Sequence, residues 1–149
     1  MIAERISKIL FFILFLNICS LVDAQCYQTK QCIEKDTLLN SIVQIKLPCN
    51  YRKKVHVYEE GKFIDYYYKN GETITLFKGA LQAIPLLSSE AGYLLQRKDT
   101  IRNRIIAIGQ KDNKVWREDT IGSLRICYDG VSPENQKFFD TVLDSLFVY

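Results

Sequence analysis

Lys54-Val-His-Val-Tyr-Glu59, Lys62-Phe-Ile-Asp-Tyr-Tyr-Tyr68 and Glu72-Thr-Ile-Thr-Leu-Phe77 follow one another in the chain, and the two gaps between them decide the fold. Each run alternates its side chains at the period of two that a half-buried strand requires. Asn70-Gly71 is the strongest short hairpin signal, because both residue types accept the positive φ of a type I′ turn. Glu60-Gly61 marks the turn before it. Three antiparallel neighbours are expected. Upstream, Ser41-Ile-Val-Gln-Ile-Lys-Leu47 sets Val43, Ile45 and Leu47 against Gln44 and Lys46, and ends at Pro48. Downstream, alternation returns in Arg104-Ile-Ile-Ala-Ile-Gly109, pauses at Asp112-Asn113, and resumes in Lys114-Val-Trp-Arg-Glu118 and Ser123-Leu-Arg-Ile-Cys-Tyr128, a second meander.

The tail carries the clearest helix. Ser132 stands at the N-cap, Pro133 at the first helical position and Glu134 in the first turn, where the helix dipole favours an acid. Phe138, Phe139, Val142, Leu143, Leu146 and Phe147 recur at the spacing of a buried stripe, with Lys137, Asp140, Asp144 and Ser145 outside it. Such a stripe must be covered, and the inner face of the sheet is the partner. The fold class is therefore α+β: an antiparallel sheet of two meanders covered by a C-terminal amphipathic helix. A shorter middle helix is expected between Gly79 and Asn103, capped by Ser88 or Ser89 and running toward Leu95. Residues 25–40 lack a clean period and read as a disulfide-held N-terminal arm, with a helical turn at Lys35 to Leu39.

The start of the chain has the three parts of a secretory signal peptide: Arg5 and Lys8, then the apolar Ile9 to Leu16, then Val22-Asp23-Ala24 before an expected cleavage at Gln25. The apolar stretch is broken by Asn17 and falls short of the ~20 residues of a membrane span. Gln25 directly before Cys26 does not fit a lipidation signal. The expected organisation is a signal peptide over 1–24, the arm over 25–40 and one domain over 41–149. Cleavage removes two basic and two acidic residues and leaves the net charge at +3. That balance supplies no field of one sign for nucleic acid or an anionic membrane.

Cys26, Cys32, Cys49 and Cys127 remain after cleavage, and an even number in an oxidising compartment reads as two disulfides with three possible connectivities. Any complete pairing ties the N-terminal cysteines to Cys127, a closure stabilising by about 4 kcal/mol. A zinc site using His56 with Cys26, Cys32 and Cys49 is not expected, since their spacing matches no C-x2-C pattern.

The strand Ile42 to Pro48, together with the tail Tyr128-Asp-Gly-Val-Ser-Pro-Glu-Asn-Gln-Lys-Phe-Phe-Asp-Thr-Val-Leu-Asp-Ser-Leu-Phe147, resembles the layout of the PsbP/Mog1-like α/β/α sandwich family. The resemblance implies small domains that act by binding, and it carries over no functional residue. The N-terminal cysteine arm departs from the usual pattern of that family.

His56, the only histidine, alternates with Val55 and Val57 and reads as an outward strand residue. There is no Gly-x-Ser-x-Gly elbow, no phosphate-binding loop and no dinucleotide fingerprint. Glu59-Glu60 and Glu118-Asp119 read as solvated acids at turns and strand ends, and Arg52-Lys53-Lys54 as a solvated turn. Tyr58, Tyr66, Tyr67 and Tyr68 are the expected binding residues, because alternation must push some of these rings outward and exposed tyrosines favour recognition. The expected function is a non-catalytic exported protein-binding domain, of the inhibitor or immunity type that caps a toxin or envelope enzyme. The alternative is an accessory or structural component of a cell-envelope assembly. No catalytic residue, cofactor or metal is expected, and the expected partner is a protein.

Overall fold

The computed structural model describes residues 30–80 and 91–149. The expected signal peptide, Cys26 and the Ser88/Ser89 cap lie outside these residues. The described chain is mostly antiparallel sheet with one α-helix. A seven-stranded sheet has the order β3 (Arg52–Tyr58), β4 (Gly61–Tyr67), β5 (Thr73–Gly79), β9 (Leu124–Val131), β8 (Lys114–Ile121), β7 (Arg104–Lys111), β6 (Leu94–Ile101). A three-stranded sheet is built from β1 (Gln31–Leu38), β2 (Ser41–Pro48) and the short β10 (Phe147–Val148). The helix α1 (Gln136–Asp144) precedes β10.

The two expected meanders join edge to edge through β5 and β9, which pair antiparallel from Thr73↔Asp129 to Lys78↔Leu124. One face of the large sheet is apolar: Ile64, Tyr66, Ile74, Leu76, Leu124, Ile126 and Tyr128 project from it and are buried. The small sheet lays Leu38, Val43, Ile45 and Leu47 on that face, and α1 lays Phe139, Val142 and Leu143 beside them. The core is thus one layer of side chains between the large sheet and a second layer made of sheet and helix.

The hairpins follow their turn chemistry. Asn70-Gly71 does close β4 to β5, but only Gly71 has positive φ, +85°, while the Gly71 N–H donates to the Tyr68 carbonyl at 3.2 Å. That is a type I turn followed by a left-handed glycine, rather than the expected type I′ turn. The type I′ requirement is met instead at Asp112-Asn113, with φ of +50° and +60° between β7 and β8.

Lys35 to Leu39 is not a helical turn: β1 runs as a regular strand paired with β2 from Gln31↔Pro48 to Leu38↔Ser41. Leu94 and Leu95 belong to β6 rather than to a middle helix. Ser132 occupies an extended N-cap position, but its hydroxyl does not cap. It bonds the Glu134 carboxylate, which its own backbone N–H and Ser132 hold below the usual range, and Pro133–Asn135 form one 3-10 turn before α1 begins. The acids Glu118 and Asp119 lie buried in the middle of the sheet instead of in solvent.

Asp119 is the centre of the helix attachment. It is 0% exposed, accepts from Arg117 Nε and Nη2 at 2.9 Å each, and accepts from Arg104 Nε at 2.7 Å. Arg117 continues to Asp140 (3.1 Å) and Asp144 (2.6 Å) on α1, and Arg104 Nη2 donates to the Leu143 carbonyl at 2.9 Å. Tyr128 OH donates to Asp140 at 2.9 Å. Desolvation works against the Arg117 charge, but the bonds to Asp119 and Asp144 outweigh it and raise its pKa. Removing the central acid leaves two guanidinium groups without their buried anion. Asp119→Ala is expected to lower the unfolding free energy by about 3 kcal/mol, the lower end for a broken buried pair because Asp140 and Asp144 still face Arg117. Asp144→Ala, whose carboxylate is 59% exposed, should cost under about 1 kcal/mol, both variants being compared with the parent protein by urea titration.

Candidate functional site

The second face of the large sheet, away from α1, is polar and aromatic. Across it the register aligns Lys54, Asp65, Thr75, Cys127 and Glu118 in one row on five neighbouring strands. The row is buried at Cys127 and Glu118, half-buried at Thr75 and Asp65, and open at its β3 end. Cys127 sits on β9 as a free, buried thiol, which corrects the expected cross-link to the N-terminal cysteines. Burial pushes its pKa up, and Glu118, Asp129 and Asp65 push in the same direction. A thiol held protonated in this way packs as a small apolar group rather than serving as a nucleophile.

The disulfide that is formed joins Cys32 to Cys49, with Cα atoms 5.4 Å apart. It closes the open end of the β1–β2 hairpin beside the bond from the Cys49 N–H to the Lys30 carbonyl at 3.1 Å. The chain-entropy relation gives about 3 kcal/mol for a loop of this length. Cys32→Ser/Cys49→Ser is expected to lose about that much in a urea titration and still fold, since Leu38, Val43, Ile45 and Leu47 remain buried.

The tyrosines separate by strand parity. Tyr66 is fully buried and bonds Asp36 at 2.5 Å, and Tyr68 is buried with its hydroxyl donating to the Pro48 carbonyl at 3.3 Å. Both belong to the core, so neither can be a surface contact as expected from sequence. Tyr67 and Tyr58 face outward. Arg52 and Lys54 lie over the Tyr67 ring at 5.7 and 5.5 Å. Tyr58 stacks on His56 at 6.2 Å and meets Phe63 edge-on at 5.8 Å. His56 Nε2 stands 3.5 Å from Asp65, which also accepts from Tyr67 (3.3 Å) and Thr75 (2.7 Å).

This grouping fixes rings and cations in place; it does not deliver a base to a nucleophile. His56 is directed at Asp65, and Thr75 bonds the same carboxylate rather than the imidazole. Among the described residues no group of three or more His, Cys, Asp or Glu side chains is arranged to hold a metal, and no helix is long and apolar enough to cross a membrane. Arg52-Lys53-Lys54, read from sequence as a solvated turn, is the first half of edge strand β3. Lys53 points the other way from its neighbours, to Glu34 (3.3 Å) and Asp36 (2.5 Å) on β1. Sequence reasoning missed this tie, because the acids of β1 occupy the inward positions where a strand normally carries apolar residues.

Comparisons with protein-family models, curated proteins and solved structures find no match.

The phenols of Tyr51, Tyr66, Tyr93 and Tyr128 are all pushed above their ordinary 10.0, in each case chiefly by burial. Hydrogen-bonded carboxylates add to it: Glu34 for Tyr51, Asp36 for Tyr66, Asp129 for Tyr93 and Asp140 for Tyr128. A raised phenol favours the folded state while neutral, and the unfolded chain ionises first. Stability is therefore retained below pH 10 and falls as pH rises beyond it, with the buried Tyr66 and Tyr128 each contributing a slope near 1.4 kcal/mol per pH unit, about one proton each. Phenolate absorbance from the buried Tyr66 and Tyr128 should rise only together with the unfolding transition at high pH; their ionisation ahead of unfolding would contradict the burial.

Proposed function

We propose that the chain is a non-catalytic, exported protein-binding domain that uses the outer face of β3 and β4. The observation carrying this reading is the set of exposed Arg52, Lys54 and Tyr58 with half-buried His56 and Tyr67 on one face of an edge strand and its neighbour. Aromatic rings flanked by cations give large contact area at low entropic cost, the composition of interface hot spots. Arg52 and Lys54 favour an acidic partner. The Cys32–Cys49 disulfide supports an oxidising, exported setting, and the PsbP/Mog1-like layout of strand and terminal helix supports a binding role. Within this reading the partner is a toxin or envelope enzyme that the domain caps.

One feature favours a second reading, an accessory component of a cell-envelope assembly. The outer face of the small sheet exposes Ile33, Phe147 and Tyr149, at 64%, 56% and 61%. Lys35 lies over Tyr149, whose hydroxyl donates to Gln44 at 3.2 Å. A second apolar surface suits a protein held between two neighbours.

The oxidised protein used as bait on the native cell envelope and medium should retain one stoichiometric protein. Tyr58→Ala is expected to weaken that complex by roughly thirtyfold, about 2 kcal/mol, and Lys54→Glu by roughly tenfold with a reduced association rate. Phe147→Ala should leave it unchanged. Dependence on Phe147 alone would transfer the function to the small sheet, and retention indifferent to all three substitutions would end the binding reading. Tyr66→Ala and Tyr68→Ala are unsuitable probes, because they open cavities in the core.

A further inference from the structure

β3 ends the large sheet, and among the described residues only β4 pairs with it, in unbroken register from Arg52↔Tyr67 to Tyr58↔Gly61. The strand contains no proline and no bulge. The opposite edge, β6, is interrupted: its register shifts between Leu95 and Arg97, and Arg97 is paired with Asp99 at 2.7 Å. Bulges and locally paired charges are ways of closing an edge to further strands. By that measure β6 is closed and β3 is open.

The side chains of β3 are sorted by face. Arg52, Lys54 and His56 project to the outer face, while Lys53, Val55 and Val57 project to the face that carries the core. Lys53 is held by Glu34 and Asp36, which leaves Val55 and Val57 exposed beyond it, at 49% and 72%. β3 has no acid of its own. A second cationic strand is repelled by this edge, whereas an acidic one is attracted, so the same charges that guard against self-pairing select a partner of opposite sign.

We propose that the β3 edge accepts an extended segment of the partner protein as an added strand, with acidic residues alternating on the side of Arg52 and Lys54 and β-branched residues alternating against Val55 and Val57. Main-chain pairing supplies affinity in this mode, and the alternate side chains supply selectivity. The inference rests on the binding reading above and names the chemistry of the partner.

The probe is a fluorescein-labelled peptide, acetyl-Glu-Val-Glu-Val-Glu-Val-amide, titrated with the purified oxidised protein by fluorescence anisotropy. Saturable binding is expected below about 1 mM, lost when lysine replaces glutamate in the peptide, and weakened roughly tenfold by Val57→Lys or Lys54→Glu in the protein. Both substitutions are at exposed positions and should leave the melting temperature unchanged. Two further peptides carry N-methyl groups on the glutamates or on the valines. In an added strand alternate amides face β3 and the others face solvent, so one set should lose binding and the other keep it. Absence of binding, or equal behaviour of the two methylated sets, overturns the proposal. If the native partner depends on Tyr58 but not on Val57, strand addition falls and the binding reading stands; if it depends on neither, the binding reading falls with it.

Discussion

The bond between Arg117 and Asp119, two residues apart on one face of β8, is the constraint on which the rest of the structure depends. A fully buried carboxylate is costly unless its charge is compensated, and Asp119 meets that demand with two guanidinium groups. Those groups have donors left over. They direct them to Asp140, Asp144 and the Leu143 carbonyl, which fixes α1 in azimuth and height on the sheet. Apolar packing by Phe139, Val142 and Leu143 holds the helix down without specifying where along the sheet it sits, because hydrophobic burial is non-directional. Charged hydrogen bonds supply the missing direction.

From the helix the constraint passes to the small sheet and back. The Ser145 hydroxyl at the helix end accepts from the Lys46 N–H at 3.0 Å, and β10 immediately beyond pairs with β2 at Phe147↔Gln44. β2 carries β1 in register, and β1 returns to the large sheet through Glu34 and Asp36, which receive Lys53, Tyr51 and Tyr66. The chain of contacts thus closes on β3 and β4, the strands that bear the candidate surface. An edge strand tied from behind by Lys53 loses less freedom on binding than a free one, and less lost freedom means more of the contact energy is expressed as affinity.

Where the pattern obeyed a simple rule the sequence was readable. β2, β4 and β5 show alternation because one face meets the core, α1 shows its stripe for the same reason, and β8 and β9 read as strands although both of their faces are largely buried. β1 was misread because its inward positions are Cys32, Glu34, Asp36 and Leu38, two of them acids satisfied by partners far along the chain. β6 was missed because, with almost every residue exposed, it has no inner face to impose a period. The disulfide arithmetic failed at Cys127 since counting cysteines assumes that each is cross-linked, while a buried thiol between Thr75 and Glu118 needs no partner to be stable.

The candidate surface was half legible for a related reason. Parity guarantees that Tyr66 and Tyr68 share one side and Tyr67 the other, but nothing in three consecutive tyrosines says which side is the core. The neighbours decide it. Ile64 and Ile74 pair into the same face as Tyr66, whereas Asp65 and Thr75 pair into the face of Tyr67. A ring among isoleucines is worth more buried, and one among an aspartate, a histidine and two cations is worth more at the surface, where its face can meet Arg52 and Lys54 without desolvating them. The hydroxyls confirm the division: the buried phenols of Tyr66 and Tyr68 each find an acceptor from the small sheet, Asp36 on β1 and the Pro48 carbonyl on β2. The rings that build the interior therefore also fasten the two layers together, and that fastening holds Tyr67 and the β3 edge at a fixed height above the core, as a rigid surface requires.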